Sequence, residues 1–159
     1  MSVHRIMSRS TIWTSAGVRA LLFTVGFAGF NYSHAGNGVE LHCLALNIYH
    51  EARGENFDGQ LAVARVTLNR VRSDLFPDSI CEVVWQPSQF SWTHDQRPDK
   101  PVNRKAWVGA LQVARNALDT HHESTPLGNV TYFHADNVWP HWAEEQVLVT
   151  VIGNHLFYE

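Results

Sequence analysis

The sequence predicts an α+β domain, mostly α, with a small C-terminal β-sheet. Three observations lead to that class. Apolar residues recur at i, i+3, i+4 and i+7 in stretches that begin near Val39, Asp58 and Arg104, the period of helices with one buried face. From Val130 onward the style changes to short β-branched and aromatic runs between turn formers, the pattern of strands. Helices first and strands afterwards favour α+β over an alternating parallel α/β arrangement. The chain's 159 residues, 45% of them apolar, suffice for one core and a single domain.

The first 35 residues stand apart. Arg5, Arg9 and Arg19 come with no acid, then the uncharged run from Ala20 to Phe30, then Ser33-His34-Ala35 with small residues flanking a cut after Ala35. This is the order of a secretory signal peptide, and the apolar run is shorter than the about 20 residues of a membrane-spanning helix. An uncleaved signal anchor is the alternative. The chain is expected to be exported, to the periplasm or beyond, with residues 36–159 as the mature domain. Contact with a membrane is expected only through the N-terminal segment.

The elements of the mature domain follow in order. Leu41, Leu44, Ala45 and Ile48 form the stripe of a first helix, which Gly54 ends. A second helix runs from about Asp58 to Arg72, capped by Asn56, with Leu61, Ala64, Leu68 and Val71 inward. Phe76-Pro77-Asp78-Ser79 makes a turn, and Asp78 caps a short helix through Cys81, Val84 and Trp85. Residues 86–104 are polar and irregular, with Phe90 and Trp92 embedded. Another helix spans about Arg104 to Thr120. Residues 121–129 form a loop, and strands are expected over 130–133, 146–152 and 154–158.

Net charge and composition narrow the function. A formal charge of −3 argues against a nucleic-acid partner, which would call for a basic excess. The six Trp suit either core packing or stacking on sugar faces. Ten His raise the question of a metal, but His50-Glu51 lacks the second His of a zinc helix, because Gly54 stands there. No other His pair has the spacing of a closed zinc site, so neither metal nor other cofactor is expected. Cys43 and Cys81 read most simply as a disulfide in an exported chain, the alternative being a Cys nucleophile.

Glu51 is the leading candidate for chemistry. It lies three residues after Ile48, on or beside the apolar stripe, and in the last turn before Gly54. Burial and the negative end of the helix dipole both disfavour a carboxylate there and raise the pKa. A carboxylic acid that keeps its proton near neutral pH is a proton donor for a glycosidic oxygen. Glu55 is a supporting candidate, either by like-charge repulsion on Glu51 or as a cap for the next segment. Trp92 is expected to stack on sugar, and Tyr132 and His134, two apart on one strand face, to line a cleft. Trp139-Pro140-His141-Trp142 would flank it.

The run Tyr49-His50-Glu51-Ala52-Arg53-Gly54-Glu55 resembles the signature of the SleB-like cell wall hydrolases, which include spore-cortex-lytic enzymes. The resemblance continues through Gly59-Gln60-Leu61-Ala62-Val63-Ala64, Leu68-Asn69-Arg70-Val71, the stretch from Phe76 to Val84 and Gln89-Phe90-Ser91. It resumes at Tyr132-Phe133-His134-Ala135 and Ile152-Gly153-Asn154-His155-Leu156-Phe157, so it covers essentially residues 40–158. It implies a lysozyme-like domain with a cleft for glycan strands, peptidoglycan as partner, and Glu51 as catalytic acid. Cleavage between N-acetylmuramic acid and N-acetylglucosamine is the expected reaction. The alternatives are a non-catalytic wall-binding module, and an amidase or peptidase acting on the stem peptide. Direct hydrolysis by a muramidase or glucosaminidase is a further alternative, for which the chain shows no evident second acid. A lytic transglycosylase that forms 1,6-anhydromuramic ends is therefore expected.

Overall fold

The computed structural model describes residues 33–120 and 125–159. The helices are α1 (Ser33–Ala52), α2 (Phe57–Arg72), α3 (Ile80–Trp85) and α4 (Arg104–Asp119). The strands are β1 (Tyr132–Ala135), β2 (Leu148–Ile152) and β3 (His155–Tyr158). Short 3-10 turns occupy Ser91–Thr93 and His141–Glu144. The predicted targeting segment lies, up to residue 32, outside the described residues, and its predicted cut falls in the first turn of α1. None of the described helices is long and apolar enough to cross a membrane.

Helix α1 is the centre of the molecule. Every side chain from Cys43 to Tyr49 is buried, because α2, α3 and α4 all pack on it. The apolar stripe seen in the sequence thus understates its burial: a helix surrounded on several sides has little polar face. Its one fully buried polar side chain, Asn47, is satisfied. Asn47 Nδ2 donates to Thr67 Oγ1 at 3.1 Å, and Asn47 Oδ1 accepts from Trp92 Nε1 at 3.4 Å. A buried amide without such partners would cost about 1–3 kcal/mol.

Asn56 caps α2 as expected, Asn103 caps α4, and the cap of α3 differs from the expected one. Asn56 accepts from Gly59 N at 2.9 Å at the start of α2, and Asn103 from Ala106 N at 3.0 Å at the start of α4. At α3 the cap is Ser79, not the expected Asp78; Ser79 Oγ accepts from Glu82 N at 3.3 Å. Both residue types can cap, and a distant contact decides the register. Glu40 of α1 accepts from Ile80 N at 2.6 Å and Cys81 N at 3.2 Å, taking the free donors of the first turn of α3. Beside it Cys43 and Cys81 are bonded, with Cα atoms 5.2 Å apart across a sequence separation of 38. A crosslink closing such a loop stabilises a domain by about 2–4 kcal/mol.

The strands pair antiparallel in the order β1-β3-β2, with Phe133 opposite Phe157 and His134 opposite Leu156. β1 begins later than expected because Val130 closes a turn onto Leu127 O at 2.7 Å and is fully buried. Val130, Leu127 and Phe157 join Ala62 and Val66 in a small core between α2 and the sheet. The result is an α+β domain, mostly α. Helix α2 lies against both α1 and the sheet, so the C-terminal end of α1 meets the face of β1.

Candidate active site

A cleft opens where α1 ends. Two adjoining hollows of about 250 and 520 Å³ share Glu51, Arg70, Gln89, Phe90, Ser91, Phe133 and His134 as walls. The chain reaches this point by three routes. The last turn of α1 supplies Glu51, the interior face of α2 supplies Arg70, and β1 supplies Tyr132 and His134. The irregular segment 88–94 forms the fourth wall, held down by Phe90 in the core. A larger hollow of about 620 Å³, lined by Arg72, Asp74, Gln146 and Glu159, touches the cleft only at Tyr132. Its acids Asp74 and Glu159 are exposed.

Burial raises the pKa of Glu51 from 4.5 to about 7, against an opposing pull from the Arg70 guanidinium. Burial is the cause anticipated from the apolar stripe. Glu55 contributes differently from the like-charge repulsion considered above. Its carboxylate turns toward the β2–β3 turn, accepting from Asn154 Nδ2 at 2.9 Å and Asn154 N at 3.2 Å. His155 Nδ1 stands 4.0 Å from Glu55 Oε1. Gly153 completes the fit: its φ of +59° suits glycine, and a Cβ there would collide with the Glu55 carboxylate. Glu55 thus ties the first segment of the motif to the hairpin at the far end of the chain.

Trp92 departs from the expected open platform. Its ring is 7% exposed, stacked on His50 at 4.3 Å and edge-on to Trp85 at 5.3 Å. With one face taken and the other side in the core, it forms a wall post and leaves no open face for a sugar. His50 in turn donates from Nε2 to Asp99 O at 3.0 Å, pinning the loop that rims an adjoining hollow. Trp139, 63% exposed and edge-on to His134 at 5.6 Å, is the aromatic left open beside the cleft. Tyr132 and His134 both line the cleft. His134 is fixed: Nδ1–H donates to Ala135 O at 2.9 Å, so Nε2 accepts the Tyr158 hydroxyl at 2.8 Å.

Two cleft residues escaped the sequence reading. His155, expected only as part of a strand, is buried in the cleft wall, and burial lowers its pKa. Arg70, named above only within the family resemblance, is 4% exposed and shares the cleft with Glu51. Arg is seldom fully buried unless paired, but only the fold shows that Arg70 is buried. Among the described residues lining the cleft, Glu51 is the sole carboxylic acid. The described residues contain no cluster of His, Cys, Asp or Glu arranged to hold a metal.

The family model for cell wall hydrolases matches residues 54–158, from just after Glu51 to the end of β3. The chain belongs to the cell wall hydrolase family. It is 33% identical over 84% of its length to a spore cortex-lytic enzyme of Oceanobacillus iheyensis, and 34% identical over 76% to one of Bacillus subtilis. It spans 46% and 37% of those relatives. Two solved structures are similar. The catalytic domain of the germination-specific lytic transglycosylase SleB from Bacillus anthracis superimposes with a TM-score of 0.60 at 28% identity, covering 76% of this chain and 93% of that one. The catalytic domain of the Bacillus cereus SleB protein gives 0.59 at 29%, covering 76% and 89%. This cell wall hydrolase domain therefore has the mostly α, lysozyme-like fold expected from its sequence.

Proposed function

We propose that this cell wall hydrolase domain cuts the glycan strand of peptidoglycan between N-acetylmuramic acid and N-acetylglucosamine, with Glu51 as its only acid–base group. The observation that carries this reading is the isolation of Glu51: one carboxyl group in a cleft, its pKa raised to about 7 by burial. Glu51 gives its proton to the glycosidic oxygen as the bond to the muramic C1 breaks. The resulting carboxylate then takes the proton of the same sugar's 6-hydroxyl as O6 closes on C1. The acid is regenerated, the product end is a 1,6-anhydro ring, and no water is consumed. Direct hydrolysis by a carboxylate pair would need a second carboxylate, as base for water when inverting or as nucleophile when retaining. Other acids of the domain are engaged elsewhere: Glu55 on Asn154, and Glu82 with Ser79. Asp95 and Asp99 line the neighbouring hollow instead.

In this reading Tyr132 and His134 shape the wall against which the sugar lies, and Glu55 braces the hairpin beneath it. The signal-like first 35 residues would deliver the domain to the periplasm or the wall. The reading is tested on purified peptidoglycan in a zymogram, with and without chelator. Clearing is expected in both, with release of disaccharides that keep their stem peptides. Binding without clearing would support a wall-binding module, and release of bare stem peptides would support an amidase or peptidase.

A further inference from the structure

We infer that Arg70 is the charge partner of Glu51: its guanidinium receives the carboxylate that exists between the two proton transfers. The inference rests on the single-acid reading of Glu51 and assigns the residue that makes the intermediate state of that acid tolerable. Arg70 sits on the buried side of α2, and its Nε–H donates to Thr131 O at 2.8 Å. The guanidinium carbon lies 5.2 Å from the Phe76 ring centre and 5.3 Å from that of Phe90. Those contacts fix the planar group but use one of its five N–H donors. Nη1 is buried and has no hydrogen-bond partner.

A buried cation with an unused donor is costly, and an apolar side chain of similar shape would hold β1 against α2 more cheaply. The arrangement makes sense if an anion appears beside it during turnover. Glu51 is the only carboxyl group lining the same hollow among the described residues. The other titratable groups around that hollow are His50 on α1, His94 after the 3-10 turn, Tyr132 and His134 on β1, and His155 on β3. None of them brings a permanent positive charge. Burial pulls Arg70 down only to about 10, opposed by Tyr132 and Glu51, so the guanidinium stays charged where the enzyme would work. Arg70 is thus a positioning residue: it acts on the bond-breaking chemistry through Glu51.

The test uses the full chain labelled with carbon-13 at glutamate carboxyls and nitrogen-15 at arginine. In the unsubstituted protein the Arg70 Nη resonances should move with the titration of Glu51, and that transition should vanish in Glu51→Gln. Arg70→Met should raise the Glu51 midpoint by about one pH unit or more, move the alkaline limb of wall lysis the same way, and slow lysis about tenfold or more. Arg70→Lys, which keeps the charge, should hold the midpoint close to that of the parent. An Arg70 signal indifferent to Glu51, or Met and Lys variants with the same Glu51 midpoint and pH profile, would overturn the inference. Wall lysis surviving in Glu51→Gln would overturn the single-acid reading instead, whatever Arg70 does.

Discussion

Replacement of Glu51 by Gln is expected to remove wall lysis, slowing it by about 10²–10⁴-fold or more, while the domain stays folded. The side chain keeps its size and its polar end but has no proton to give. Within the cleft nothing replaces it, since no second carboxylic acid lines the walls among the described residues. His134 has both ring nitrogens engaged. Burial lowers the pKa of His155, and its ring is turned toward Glu55. Clearing rates of wall suspensions for the two proteins, at matched far-ultraviolet circular dichroism, measure the effect. Near-parental clearing by the Gln variant would remove Glu51 from the mechanism.

The same substitution should make the domain more stable, and only above mildly acidic pH. Burial raises Glu51 from 4.5 to about 7 in the folded chain. Below about pH 4.5 the group is protonated both folded and unfolded, and its contribution to folding is fully present. As the pH rises toward 7, the unfolded chain gives up the proton while the folded chain retains it. Stability is lost through that window and the loss is complete above about pH 7. A difference of this size corresponds to about 3 kcal/mol. Glu51→Gln does not titrate, so its advantage in urea unfolding should grow from near zero at pH 4 to about 3 kcal/mol at pH 8. The other titratable groups are common to both proteins and cancel in the difference. An advantage that is the same at both pH values would mean that Glu51 is solvated in the folded state.

Local signals carried most of the fold. The stripe of Leu41, Leu44, Ala45 and Ile48, the Asn56 cap and the change of style at Val130 each report on neighbours within a turn or two. Glu51 was legible for the same reason, because its offset from Ile48 fixes its face of the helix. What the sequence leaves hidden depends on contacts between distant segments. Glu55 and Asn154 meet across 99 positions, and Glu40 sets the register of α3 across 40. Trp92 looked like a sugar platform because aromatic residues in polar loops often are. Its burial follows from Asn47, Trp85 and His50, which meet it only in the folded chain. The place of Arg70 in the cleft with Glu51 depends on how α2 packs against α1 and β1.

The measurement closest to the central claim is the chemistry of the newly formed glycan ends. Sacculi digested with the full chain would be separated and weighed by mass spectrometry. A single acid that passes a proton from leaving group to 6-hydroxyl leaves 1,6-anhydromuramic ends, each about 18 Da, one water, lighter than a hydrolytic end. The account predicts those ends as the main product, and their absence from a Glu51→Gln digest. Reducing muramic ends alone would contradict it, and would mean that water rather than the sugar's own 6-hydroxyl attacks C1.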